Sequence, residues 1–157
     1  MPARTLALAN RHPRLKLDRP GLARAVATLD AHAAKFRGGC PPGELSIAFL
    51  TDAALAQLHA DFLDDPAPTD VITFAGDASL GLAGEICVSV DTAAAYARAH
   101  GGDFSAELAL YVVHGWLHLA GYDDLQPTKK RAMRRAETRA LRLLEADKAL
   151  PRFARRR

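Results

Sequence analysis

The sequence predicts an α+β fold in which one small mixed β-sheet of about four strands is flanked by about five helices. The chain has 157 residues, of which 49% are apolar and 25% charged, as expected for one soluble domain with its own core. Short apolar segments alternate only partly with segments of helical periodicity, which favours a mixed sheet. Because no repeat or internal linker is evident, we expect one domain over residues 1–150 and a basic C-terminal tail over 151–157.

Strands are predicted where short apolar runs are bounded by turn or capping residues. The Pro41-Pro42-Gly43 turn precedes one such run, and Gly84 lies at the start of another. The acidic, proline-rich segment Asp64–Pro68 is predicted to be a loop. The predicted strands are Thr5–Asn10, Leu45–Leu50, Val71–Ala75 and Ala83–Val90.

Helices are predicted from apolar residues at helical spacing and from residues that favour helix ends, such as Asp18 before Pro20 at the first start. Glycines follow three of the predicted helices, where a left-handed residue commonly ends a helix. The five helices are expected from about Asp18 to before Gly38, from Thr51 or Asp52 through Phe62, from Asp91 to near Gly101, from Asp103 or Ser105 to Ala120, and from Pro127 to about Lys148.

Cysteine content and hydropathy predict a cytoplasmic protein. Only Cys40 and Cys87 occur, without a CxxC pair, which indicates a reducing compartment and excludes a thiolate zinc knuckle. The N-terminal apolar stretch Thr5–Ala9 is too short for a signal sequence, and no run approaches the roughly 18 residues of a membrane span. We therefore expect no membrane partner, and nothing in the sequence indicates an obligate dimer, so a monomer is predicted.

Charge is distributed very unevenly along the chain. Residues 1–124 carry 9 Lys/Arg and 15 Asp/Glu, whereas residues 125–157 carry 12 Lys/Arg and 3 Asp/Glu. A basic segment of this density attracts polyanions, most commonly nucleic acid, and the alternative is a solvated helix face with a disordered tail. Since the basic residues are not interleaved with an aromatic stacking platform, contact is expected with phosphates rather than bases.

The fourth predicted helix contains the most distinctive pattern. Apart from His114 and His118, the stretch from Leu108 to Ala120 is uncharged, and a helix that is apolar all round is buried. Histidines four apart project from the same face, so their nitrogens can share one metal ion at about 2.0–2.1 Å. Gly121 can turn the chain back, which would bring Asp123 or Asp124 to the ion as a third ligand. The alternative is a hydrogen-bonded polar pocket.

The residue beside the first histidine argues against a metallopeptidase. The motif H-E-x-x-H supplies a glutamate there as the general base, but this chain has Gly115, which cannot accept a proton. The other histidines lack neighbouring ligands and are interpreted as surface or linker residues; they are His12, His32, His59 and His100.

Three sequence blocks resemble those of the YbeY family. The run from His114 to Asp123 matches the signature H-G-x-L-H-L-x-G-Y-D-H, and Asp124 stands where the family has its third histidine. The segment Pro68–Phe74 resembles the block P-T-D-V-L-S-F, and Gly84-Glu85-Ile86 resembles a G-D/E-I strand start. Glu107 and the Met133…Glu137 pair also fit, so the resemblance covers roughly residues 44–145.

This resemblance implies a zinc-dependent, single-strand-specific endoribonuclease that acts in 16S rRNA 3′-end maturation and ribosome quality control. It implies a small sheet flanked by helices with a zincin-like metal helix. By position, the implied metal ligands and catalytic residues are His114, His118 and Asp124, which resolves the choice between the two aspartates. A carboxylate in this set would also suit Fe²⁺ or Mn²⁺.

The chain departs from the family at Leu63, where many members have an arginine proposed to hold substrate phosphate. Basic residues further along are predicted to bind the RNA backbone instead; they are Lys129, Lys130, Arg131, Arg134 and Arg135. Two alternatives to a nuclease are a non-catalytic ribosome-assembly factor with a structural metal and, less favoured, a metallopeptidase.

Structural roles are predicted for five other residues near the motifs. Asp70 is expected to cap a turn and Glu85 to be a buried, partnered anchor. Glu107 suits the positive end of the helix dipole. Trp116 and Tyr122 are expected to pack in the core rather than stack on bases.

Overall fold

The structure is a computed structural model that describes residues 4–63 and 69–156, without the side chain of Leu63. The predicted loop Asp64–Pro68, the predicted departure from the family at the Leu63 side chain, and the last residue of the predicted tail, Arg157, therefore lie outside the described residues. Within them, no helix combines the length and the hydrophobicity that crossing a bilayer requires.

A mixed four-stranded sheet forms the centre of the fold, as predicted. Its strands are β1 (Thr5–Asn10), β3 (Glu44–Leu50), β4 (Val71–Asp77) and β5 (Leu82–Ser89), and the two-residue strands β2 (Leu15–Lys16) and β6 (Ala154–Arg155) pair separately. The order is β1-β3-β5-β4, with β1, β3 and β5 parallel and β4 antiparallel to β5. Both faces of β5 are apolar over residues 86–88, so this strand lies in the middle of the core.

Five α-helices surround the sheet in the part of the chain that is described. They are α1 (Arg19–Ala31), α2 (Asp52–Leu63), α3 (Val90–His100), α4 (Phe104–Leu119) and α5 (Pro127–Ala146). The predicted caps Asp18 and Asp103 accept hydrogen bonds from backbone N–H groups of the first turns of α1 and α4. The α+β class predicted from the sequence is confirmed.

Asp91, which was expected to cap the third helix, does not cap α3. The residue that caps α3 is Ser89, whose hydroxyl accepts a hydrogen bond from the Thr92 N–H. Asp91 instead accepts hydrogen bonds from the Asp52 N–H and from His12 Nε2, the latter at 2.8 Å. The placement of His12 at the surface is also wrong, because its side chain is buried and its Nδ1 accepts a bond from the Arg14 N–H.

The basic C-terminal residues contact the rest of the domain at two points. The Phe153 side chain is buried, and its N–H donates to Ser105 Oγ at 2.9 Å. The following residues form β6 against β2, and the Arg156 N–H donates to the Arg14 carbonyl. The buried Phe153 side chain and the pairing of β6 with β2 thus attach this basic segment to the domain.

Two glycines allow α4 to lie unusually close to the sheet. A Cβ atom on Gly115 would overlap the Ile86 side chain, and one on Gly84 would come within 2.9 Å of the Leu119 methyl groups. Gly84 also has a φ of +152°, which favours glycine. This close packing fixes α4 over β5 and β4, and the two histidines of α4 are positioned with it.

Candidate metal centre

The last two turns of α4 present the two predicted histidines on one face. The ring centroids of His114 and His118 are 4.8 Å apart, and the side chains are 14% and 28% exposed. The remainder of these turns is anchored in the core by Trp116 and Leu117, which are almost completely buried. The imidazoles therefore lie at the rim of the core, where they are shielded but still reachable from solvent.

The turn after α4 selects one of the two aspartates. Gly121 has a φ of +106°, which suits glycine and reverses the chain at the helix end. Asp123 turns inward on its own loop, where its Oδ1 accepts the Asp124 and Leu125 N–H groups at 2.7 and 3.1 Å. The Asp124 carboxylate is then directed at both histidines, which is the position that the family resemblance implied.

The spacing of the three side chains fits a shared ion better than direct hydrogen bonds. His114 Nε2 and His118 Nε2 lie 3.6 and 3.5 Å from the two oxygens of Asp124. A charge-assisted hydrogen bond would bring such atoms to about 2.7–2.9 Å. Ligand atoms about 2.0–2.2 Å from a common tetrahedral ion lie roughly 3.3–3.6 Å apart. The two histidine–aspartate distances match this spacing, and the ligand atoms of all three residues lie within 4.8 Å of one another, so the set could hold one divalent metal ion.

Glu137 of α5 fixes the orientation of His114. The Glu137 side chain is buried, and its Oε2 lies 2.6 Å from His114 Nδ1. Because a carboxylate accepts the proton at Nδ1, the Nε2 lone pair faces Asp124 and is available to an ion. Arg134 Nη1 donates to both Glu137 oxygens, at 2.7 and 3.0 Å.

Burial and hydrogen bonds around the candidate centre shift the pKa values of Glu137, His118 and Arg134. Burial alone would raise the pKa of Glu137, but the hydrogen bonds from His114 and Arg134 outweigh it and lower that pKa. Burial, and next the neighbouring His114, lowers the pKa of His118, which favours the neutral imidazole that binds metal. The hydrogen bond with Glu137 is the main cause of a raised pKa for Arg134.

A clasp of two arginines holds the turn that carries Asp124. The Arg37 guanidinium lies 4.1 Å above the Tyr122 ring and donates to the Gly121 carbonyl at 3.1 Å. Arg139 of α5 donates to the Tyr122 hydroxyl at 3.3 Å. The ring itself is buried, as predicted for Tyr122. Asp124, the third candidate ligand, is thus attached through its turn to two segments that are distant from it in sequence.

The basic residues predicted to bind RNA are all exposed on the N-terminal half of α5. Only Arg134 pairs with a carboxylate, and that pair places it beside the metal centre. Arg131 makes a 3.4 Å bond to the Thr128 hydroxyl. The other predicted members make no ion pair with a described residue; they are Lys129, Lys130 and Arg135.

Among the structural roles predicted near the motifs, those of Glu85 and Asp70 are wrong, whereas the core packing of Trp116 is confirmed, as is that of Tyr122. Glu85 is exposed rather than buried, because β5 turns this side chain out of the core. The exposed Asp70 side chain accepts no capping hydrogen bond from the described residues, and its negative charge contributes to the raised pKa of Arg134. Trp116 is packed in the core as predicted, with an edge contact to Phe36.

Sequence reasoning assigned no role to Glu137, although a signal for it exists. The inner face of α5 is otherwise apolar, with Met133, Ala136, Ala140 and Leu144 all buried. An acid on such a face must have a partner, because a buried unpaired charge is very costly. That reasoning would have identified Glu137 as a functional or paired residue, but not His114 as its partner.

Comparison with known proteins identifies the family. The profile of the family described as Endoribonuclease YbeY matches residues 8–145 of the chain. The Endoribonuclease YbeY of Anaeromyxobacter dehalogenans is 39% identical over 134 residues, which is 82% of this chain and 69% of that protein. That of an Exiguobacterium species is 34% identical over 121 residues, which is 69% of this chain and 77% of that protein.

A solved structure supports the same fold. The solution structure of TM1509 from Thermotoga maritima is similar with a TM-score of 0.62, over 91% of each chain and at 22% identity. At that identity the likeness concerns the fold alone, and it agrees with the α+β architecture described above. The family match covers most of the sequence, including the histidine helix and α5, and so confirms the resemblance of the motifs. The chain belongs to the Endoribonuclease YbeY family.

Proposed function

We propose that this protein is a metal-dependent endoribonuclease whose centre is formed by His114, His118 and Asp124. The observation that carries the proposal is the 3.5–3.6 Å spacing between the histidine nitrogens and the Asp124 oxygens. Relatives that align with most of the chain at 34–39% identity are named Endoribonuclease YbeY, which supports RNA as the substrate. Zinc is the proposed ion, because two imidazoles and one carboxylate form a known zinc hydrolase set, which also suits Fe²⁺ or Mn²⁺.

The protein side chains have distinct roles in this proposal. When bound, a divalent ion supplies a Lewis acid that polarises a phosphate oxygen and makes water more acidic. Glu137 holds the His114 proton at Nδ1, so that the ring presents a lone pair on its other nitrogen. Arg134 shares only Nη1 with Glu137 among the described residues, so its other nitrogens can donate to a phosphate at the cleft.

The substrate proposal follows the family resemblance. It is single-stranded RNA, specifically the 3′ end of 16S rRNA in the small ribosomal subunit, with a further role in ribosome quality control. Exposed side chains of α5 would bind the RNA backbone beside Arg134; they are Lys129, Lys130, Arg131 and Arg135. The protein is proposed to act as a cytoplasmic monomer.

The proposal is tested by measuring RNA cleavage and metal content in the parent protein and in single-residue variants. Untagged protein is analysed for bound metal and incubated with single-stranded RNA, alongside His114→Ala and Asp124→Ala. We expect both variants to lose the metal and to cleave at the background rate. The control is His100→Ala, which removes an exposed imidazole whose ring bonds only to the Tyr96 carbonyl and stacks on the Tyr96 ring.

The same variants separate nuclease function from its alternatives. Full cleavage by folded His114→Ala protein would refute the proposed centre. If that variant binds no metal and unfolds while the parent protein never cleaves RNA, the ion is a structural element of an assembly factor. Digestion of casein would indicate a peptidase, which the packing of Gly115 against Ile86 opposes because a glutamate there has no room.

A further inference from the structure

The outer face of α5 carries a concentration of arginine, of which Arg134 and Arg139 contact residues at the candidate metal centre while Arg135 and Arg142 do not. A shallow depression of about 400 Å³ is lined by Arg134, Arg135, Thr138, Arg139 and Arg142 and by no acidic residue. It begins at Arg134, beside the metal centre, and continues toward the C-terminal end of the helix. We call these five residues the arginine ridge.

Charges on the ridge have little internal compensation. The helix α5 contains seven Lys/Arg and two glutamates, and one of these, Glu137, is buried against His114. Arg135 and Arg142 make no hydrogen bond or ion pair with any described residue, and Arg139 donates only to neutral oxygens. Like charges four apart on a helix cost roughly 0.2–0.5 kcal/mol per pair. The arrangement is therefore unfavourable for the isolated helix, which indicates an anionic ligand.

The chemistry of the ridge suits phosphodiesters. Guanidinium groups donate in a fixed fork that matches phosphate oxygens, and the Thr138 hydroxyl adds a small polar group. From Arg134 to Arg142 the helix advances about 12 Å at 1.5 Å per residue. A nucleic-acid strand covers that distance with about three or four phosphates at roughly 3.4 Å each. No exposed aromatic residue lines the depression, so bases would not be stacked there.

We propose that the arginine ridge is a docking surface that binds the RNA backbone outside the cleavage site, several nucleotides from the bond that is cut. This inference rests on the proposed function for the choice of RNA over other polyanions. It extends that function, because it assigns a role to Arg139 and Arg142 and makes substrate binding depend on strand length. Release of counterions from the bound phosphates would make the docking strongly salt-dependent.

The proposal is tested by measuring how RNA binding depends on salt. Two double variants are compared, one on the ridge and one elsewhere, and each removes two positive charges. The ridge variant is Arg135→Ala with Arg142→Ala, which breaks no contact within the described residues. The control is Arg24→Ala with Arg98→Ala, two exposed arginines on α1 and α3 that also lack such contacts. Anisotropy of a labelled single-stranded RNA of about 12 nucleotides with 2′-O-methyl riboses gives the affinity of the metal-loaded protein between 50 and 200 mM salt.

The expected result is a smaller salt dependence for the ridge variant alone. Each lost phosphate contact makes the slope of log K against log salt shallower by about 0.7. The loss of affinity between 50 and 200 mM salt should therefore be about sevenfold smaller when two contacts are removed. Equal slopes for the ridge and control variants would overturn the proposal. So would equal competition by polyglutamate and RNA of the same charge. The binding slope does not depend on cleavage, so failure of the nuclease proposal would be seen separately, as intact RNA with the parent protein.

Discussion

Replacing Glu137 by glutamine isolates the contribution of the buried carboxylate to metal binding. Glutamine has the same shape, so the core around α5 stays filled. If its carbonyl accepts the His114 proton, its amide group faces the Arg134 guanidinium and two donors oppose each other. If the amide is flipped, His114 must accept at Nδ1 and carry its proton at Nε2, the nitrogen proposed to bind the metal. Either arrangement weakens the site.

The structure leads us to expect that the loss of metal affinity caused by Glu137→Gln lies at the upper end of the usual range for such substitutions. Losing the carboxylate partner of a metal-bound histidine typically costs 10–100-fold in affinity, or about 1.4–2.7 kcal/mol. The Glu137 side chain is 5% exposed and its contact with His114 is 2.6 Å, so water cannot readily replace it. We therefore expect a loss near 100-fold for Glu137→Gln.

Competition with a chromophoric zinc chelator measures this loss, and denaturant unfolding checks that the variant is folded. The control is Glu145→Gln, which neutralises an exposed acid on the same helix and should bind zinc like the parent protein. Zinc affinity within twofold of the parent, in a folded Glu137→Gln protein, would show that Glu137 does not orient the ligand.

Three further predictions concern packing, the thiols and the clasp. Gly115→Ala should lower the free energy of unfolding by about 1–3 kcal/mol, because the added methyl group overlaps Ile86; an unchanged denaturation midpoint would contradict this. Burial raises the pKa of the two cysteine thiols, to about 11 and about 12, so neither should react with a disulfide reagent at pH 8 until the protein is unfolded. Arg37→Met should weaken zinc binding without unfolding the protein, since it frees the Tyr122 turn that carries Asp124; unaltered affinity in the chelator assay would show that the clasp is dispensable.

Local sequence patterns determined most of the secondary structure and the first two candidate ligands of this protein. A helix has a fixed 3.6-residue period, so His114 and His118 had to share a face whatever surrounded them. Turn residues and apolar runs likewise placed the four strands of the main sheet and most helix ends within a few residues of their observed bounds. The first helix was expected to continue to Gly38 but ends at Ala31, and the short strands β2 and β6 were not predicted. The similarity of the motifs to the YbeY family then supplied the third position, Asp124, which spacing alone left open.

Tertiary structure decided everything that depends on contacts between distant segments. The pairing of Glu137 with His114, the hold of Arg37 on Tyr122 and the burial of His12 beside Asp91 each join residues far apart along the chain. Such pairs have no period to reveal them, because they arise only when helices pack on the sheet in one particular register. Helical periodicity therefore determined that the two histidines share a face. Packing between distant segments determined which charged residues orient His114 and stabilise the turn that carries Asp124.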